Sequence, residues 1–131
     1  MEFAFPWPVS TGGWLAFLSA SVTILFGLIL LLAPRFSYRL MRLQTVPEFP
    51  EALSESRATM AGFYLGLGLC CILLDQPLLY LALGASWGLT AFGRLVSMVV
   101  DRGNKAFNWI SVAVEALLSG LPLAMVFGFV P

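Results

Sequence analysis

Arg94 and Glu115 are the residues of this chain best placed to do chemistry, because each interrupts a stretch otherwise apolar enough to cross a bilayer. A charge at the bilayer centre costs about 2.5–3.5 kcal/mol on insertion scales, so such a residue generally has a partner or a task. At about 3.6 residues per helical turn, Arg94 shares a face with Trp87, Thr90, Ser97, Met98 and Asp101. Glu115 shares its own face with Asn108, Ser111, Ser119 and Pro122. Arg94 lies nine residues before Gly103 and Glu115 twelve after it. In an antiparallel hairpin turning there, the offset is about 4.5 Å of helical rise, which an extended arginine spans. The expectation is a polar seam of Arg94, Glu115, Asp101, Ser97, Thr90, Ser111 and Asn108.

Three chemistries suit such a seam. The first is a structural ion pair, with Arg94 clamped by Glu115 or Asp101 and hydroxyls completing the shell. Buried pairs often only offset their own desolvation, so this pair would set register more than it would add stability. The second is a site for a lipid, a quinone or an anionic ligand on Arg94. The third is a proton or ion path through Glu115, although pumps ordinarily carry more intramembrane titratable groups than two.

Other chemistries lack their residues. The chain has no histidine, which removes the commonest metal ligand and the ordinary catalytic base. Cys70 and Cys71 are neighbours inside one apolar stretch, where thiols pack as small hydrophobes. No nucleophile–base constellation or phosphate-binding glycine loop is present. The glycines of YLGLGL fall within an apolar helix, where packing accounts for them. The expectation is a protein without catalysis and without a cofactor. With seven positive against seven negative residues, nucleic-acid binding has no electrostatic basis.

The elements that must position the seam are transmembrane helices. Of 131 residues 60% are hydrophobic and 11% charged, and mean hydropathy is +0.91; soluble domains carry about 25% charged residues. A span needs about 20 mainly apolar residues, and four windows qualify: residues 13–33, 58–74, 78–100 and 106–130. They use most of the length and leave one transmembrane domain over residues 1–131, an all-α antiparallel bundle. The first 34 residues hold no Lys or Arg, so the positive region of a cleavable signal is missing. Met1 to Thr11, with Pro6-Trp7-Pro8, reads as an interfacial tail.

Arg35, Arg39, Arg42 and Arg57 flank the first loop, and Arg102 and Lys105 lie in the third. The N-terminal tail, the turn Asp75-Gln76-Pro77 and the C-terminus hold no Lys or Arg. The positive-inside rule places both basic loops in the cytoplasm and both termini outside. Arg35, Arg39 and Arg42 recur at i, i+4 and i+7, beside Phe36, Leu40 and Leu43. This spacing fits a short amphipathic interfacial helix whose arginines contact lipid headgroups, and equally an ordinary positive-inside flank. Residues 45–56, with Glu48, Glu51 and Glu55, read as a polar connector in which Ser54 or Ser56 caps the next helix. Pro77 is well placed to open the third span.

In lipid, close helix contact relies on small residues. Ala58, Gly62, Gly66 and Cys70 recur every fourth position in the second span, Gly84 and Gly88 in the third, and Ser19, Thr23 and Gly27 in the first. The reading for all three rows is packing within the chain. Trp7, Trp14, Trp87 and Trp109 are candidate rim anchors.

Glu55-x-Arg57 leading into GFYLGLGL, then GLTAFGRLVSMVVDRGN with Arg94 and Asp101, and a late glutamate followed by LPL, resemble the DUF4345 family over roughly residues 10–128. The pattern GR-x-x-S-x-x-x-D is the most specific piece, and Arg102 before Gly103 is a variation. The resemblance implies a small bacterial membrane protein with four spans in the inner membrane, and no particular activity. The functional expectation is a non-catalytic accessory or stabilising subunit of a larger membrane assembly, photosynthetic or respiratory, contacting the bilayer and other integral membrane subunits. The alternative is a small transporter or a lipid- or quinone-binding protein using Arg94 and Glu115.

Overall fold

The computed structural model of the protein describes residues 4–103 and 105–131; residues 1–3 of the expected interfacial tail, and Asn104 of the last loop, lie outside the described residues. The described chain is all helical: α1 Thr11–Leu32, α2 Pro34–Leu40, α3 Ala52–Leu74, α4 Pro77–Val100 and α5 Ala106–Val126. The four long helices, of 22, 23, 24 and 21 residues, are long and apolar enough to cross a membrane.

Local chemistry sets the ends. Ser10 caps α1, its hydroxyl accepting from Gly13 N–H at 3.0 Å. Pro34 cannot donate the next helical bond, so α1 stops and α2 starts afresh with proline in its first turn. Asp75 takes the left-handed conformation (φ 49°) that ends α3, and Pro77 opens α4. The last helix stops at Val126, short of the expected residue 130. Gly128 turns left-handed (φ 78°) while its N–H reaches Met125 O at 3.2 Å and Phe129 N–H reaches Ala124 O at 2.8 Å. This paired closure satisfies the final carbonyls and fits glycine best.

Three other expectations around the first loop need correction. The second spanning helix begins at Ala52, six residues before the expected start, so residues 52–56 of the supposed polar connector are helical. Neither Ser54 nor Ser56 caps it; Ser56 lies inside, at the head of a π-helical stretch Ser56–Met60. Arg42 is not on the amphipathic turn with Arg35 and Arg39. The helix ends at Leu40, and Arg42 turns left-handed (φ 57°) to lay its guanidinium 4.9 Å from the centre of the Phe107 ring.

Helix α1 is the central element, packing on α3 and α5, while α4 packs most extensively on α5. Ala16 and Ala20 of α1 are fully buried. A Cβ at Gly27 would stand 2.7 Å from Leu65 Cγ, and one at Gly84 would stand 2.6 Å from Leu123 Cγ, so these glycines allow the close approach of α1 to α3 and of α4 to α5. By contrast, α3 and α4 touch sparsely although only Asp75 and Gln76 separate them. A cleft of about 130 Å³ lies between them, lined by Thr23, Tyr64, Leu67, Leu83 and Trp87 among others.

The small-residue row of α3 does not serve packing within the chain. Ala58, Gly62, Gly66 and Cys70 are exposed, and a Cβ at Gly62 or Gly66 would meet nothing within 4 Å. The face that packs carries Ala61, Gly68, Cys71 and Ile72 instead. Trp87 is likewise no rim anchor: it is buried between Phe26 and Tyr64. Trp7 and Trp14 are exposed and cluster with Phe5 and Phe17 at the start of α1.

Candidate functional site

Arg94 and Glu115 meet across the loop-proximal halves of α4 and α5. Arg94 Nε donates to Glu115 Oε1 at 2.8 Å, and Nη2 lies 2.7 Å from the same oxygen. Arg94 Nη1 donates to Asn108 Oδ1 at 3.1 Å, and Asn108 Nδ2 donates to Gly103 O at 2.7 Å. The loop backbone, Asn108, Arg94 and Glu115 thus form one chain of hydrogen bonds, in which Asn108 uses both ends of its amide. Gly103 keeps the loop close, since a Cβ there would stand 2.9 Å from Asn108 Nδ2.

The pair is asymmetric. The Glu115 side chain is 7% exposed and that of Arg94 30%. Both contacts to Arg94 use Oε1; Glu115 Oε2 is buried and has no hydrogen-bond partner among the described residues. A carboxylate oxygen out of water without a donor is costly, so this atom is the least satisfied point of the seam. Tyr64, packed on Trp87 at 5.4 Å between ring centres, lies within electrostatic reach of both charges.

The other members expected in the seam are placed elsewhere. Ser97 donates to Asp101 Oδ2 at 2.9 Å, closing the end of α4, so Asp101 is engaged there and does not clamp Arg94. Thr90 and Ser111 donate to the carbonyls of Ser86 and Phe107, four residues back on their own helices. Such back-bonding satisfies a hydroxyl in an apolar setting and takes it out of the seam. Arg94, Glu115 and Asn108 are what the fold brings together.

A second polar system was not anticipated. Trp87 Nε1 donates to Thr23 Oγ1 at 2.9 Å, Ser19 Oγ donates to Leu118 O at 2.6 Å, Ser119 Oγ to Gly84 O at 2.6 Å, and Ser56 Oγ to Leu30 O at 2.7 Å. Two of these carbonyls share a cause. The helical partner of Leu118 O would be the N–H of residue 122, and that of Leu30 O the N–H of residue 34; both are prolines and have none. A serine from a neighbouring helix replaces each missing donor. The readable signal was a proline four residues beyond a leucine, together with a small hydroxyl residue at a buried helix position.

The arrangement can fix the register of α4 against α5 and tie α1 to α3, α4 and α5. It offers one acceptor atom, Glu115 Oε2, for a further donor. Among the described residues no group of three His, Cys, Asp or Glu is disposed to hold a metal. Cys71 donates weakly to Leu79 O at 3.3 Å, and Cys70 is exposed. No curated protein and no solved structure matches the chain. A family model does match, for a domain of unknown function, over residues 13–126, which contain both charges, both prolines and all four hydroxyls of the polar system: the chain belongs to the DUF4345 family.

Proposed function

We propose that the protein is a non-catalytic, multi-pass membrane subunit that packs against other integral membrane proteins through the outward face of α3. One observation carries the proposal. Ala58, Gly62, Gly66 and Cys70 form a row of small side chains with open space at both glycines. In lipid such a row gives nothing by burial alone but admits another helix at close range, where dispersion and weak hydrogen bonds accumulate. The exterior around it is apolar, with Phe63, Leu69, Leu73 and Leu74 of the same helix exposed. The assembly we have in view is one of a bacterial inner membrane, photosynthetic or respiratory in kind, with the basic loops in the cytoplasm. Purification of the native protein in mild detergent, followed by mass spectrometry, tests this. A discrete larger complex is expected, and Gly62→Leu with Gly66→Leu should release the chain from it as a folded monomer. A solitary wild-type monomer overturns the subunit reading.

A second reading keeps one observation of its own: the buried Oε2 of Glu115, without a hydrogen-bond partner among the described residues. A ligand that donates a hydrogen bond, or a proton in transit, would complete that oxygen. On this reading the protein is a small transporter or a lipid- or quinone-binding protein built on Arg94 and Glu115.

A further inference from the structure

Where α1 gives way to α2, a cavity of about 290 Å³ lies between α2, the segment that follows it and the first turn of α3. Its wall is built. Tyr38 is buried and donates its hydroxyl to Ala52 O at 2.8 Å, pinning α2 to the start of α3. Leu43 N–H donates to Tyr38 O at 2.7 Å just after the left-handed Arg42, and Leu43, Gln44 and Thr45 line the open pocket with α2. Arg35 and Arg39 stand one helical turn apart in its lining, with Gln44 and Thr45 as further polar groups and no acidic residue.

The two guanidiniums are unspent. Arg42 lies on Phe107, Arg57 Nη1 donates to Leu31 O at 2.6 Å, and Arg94 is paired with Glu115. Among the described residues, neither the Arg35 nor the Arg39 guanidinium has an ionic or hydrogen-bonding partner. Both are exposed, as are Phe36 and Leu40, each one position further along the same helix. Helix α2 therefore presents an apolar row beside a cationic one. It does so just after Pro34 has ended an apolar membrane-length helix, at the level where hydrocarbon gives way to headgroups.

We propose that this cavity binds the phosphate group of an anionic glycerophospholipid, held by Arg35 and Arg39 while the acyl chains run along Phe36 and Leu40. Guanidinium groups suit phosphate oxygens because their paired N–H groups match two oxygens at once. At about 290 Å³ the volume falls just below that of ligand pockets, roughly 300–1,000 Å³, so it suits a headgroup and not a whole lipid. The site is independent of the α3 docking face and requires only that the helices span a membrane.

Native mass spectrometry of the full chain in neutral detergent, titrated with phosphatidylglycerol, tests the proposal. The wild type should hold one lipid that the double variant Arg35→Gln with Arg39→Gln binds roughly tenfold or more weakly. Thr45→Trp, which fills the cavity and keeps both charges, should lose the lipid as well. The charge-matched control Arg102→Gln with Lys105→Gln should bind it as the wild type does. Unchanged binding by the Arg35/Arg39 variant, retention by Thr45→Trp, or equal loss by the control overturns the site. Displacement of the lipid by an equal concentration of inorganic phosphate would assign the pocket to free phosphate and overturn the lipid source.

Discussion

Arg94 and Glu115 have unequal environments, and that inequality dictates what each substitution does. Removing Arg94 strands the carboxylate of a side chain that is 7% exposed, and an uncompensated buried charge costs about 3–5 kcal/mol. Arg94→Leu is therefore expected to lower the melting temperature sharply in detergent. Arg94→Leu with Glu115→Leu should recover much of the loss, because the desolvation cost leaves with the charges; a double variant as unstable as the single would show that the pair is not a unit. Glu115→Gln separates the two functional readings. It keeps the shape and one oxygen acceptor for Arg94 while removing the charge. If the seam only clasps α4 to α5, Glu115→Gln should retain the assembly and every phenotype of the wild type; loss of transport or ligand binding with the assembly intact would favour the second reading.

At the scale of elements, the prolines decide which hydroxyls matter. Ser19 Oγ is the donor to Leu118 O because residue 122 has no N–H. Ser19→Ala should cost about 1–2 kcal/mol, the penalty of an unsatisfied buried carbonyl softened by what neighbouring helices can re-satisfy. In a Pro122→Ala background the helix regains its own donor, and the same Ser19→Ala change should cost measurably less. Equal costs in a double-mutant cycle, read by reversible unfolding in mixed micelles, would show that the serine does not stand in for the missing N–H. This device also marks the limit of sequence reading here. Long apolar runs bounded by Pro34 and Pro77 make the spans legible, because length and hydropathy dominate the physics of a bilayer. The meeting of Arg94 with Glu115 was legible too, since a short loop and helical rise place them within reach. Which face of α3 turns inward was not. Ala58, Gly62, Gly66 and Cys70 form one small-residue row and Ala61 and Gly68 belong to another, and in a helix apolar all round no amphipathic contrast separates them. Nor does spacing reveal that Thr90 and Ser111 bond back to their own helices, since a hydroxyl on a polar-looking face satisfies itself locally.

For the whole molecule, the contacts at the two ends of the bundle tie its loops together in sets. Arg42 on Phe107 brings the first basic loop to the beginning of α5, close to Arg102 and Lys105 in sequence. Gly12 N–H donating to Pro131 O at 2.7 Å brings the start of α1 to the far end of the chain. Four crossings between these ends would leave every basic loop on one side of the membrane and both termini on the other, the distribution that the positive-inside rule associates with the cytoplasm. Single cysteines introduced at Gln44, Lys105, Gln76 and Val9, in a background with Cys70→Ala and Cys71→Ala, test the arrangement with a membrane-impermeant thiol reagent. Val9→Cys and Gln76→Cys should react in intact cells. Gln44→Cys and Lys105→Cys should react only after permeabilisation. Reaction of Gln44→Cys and Lys105→Cys on opposite sides would break the four-crossing arrangement itself. The reverse pattern, with both basic loops reactive in intact cells, would keep the crossings and invert the orientation. The pattern expected here also leaves the Arg35/Arg39 cavity facing the cytoplasmic leaflet, the one richer in anionic headgroups.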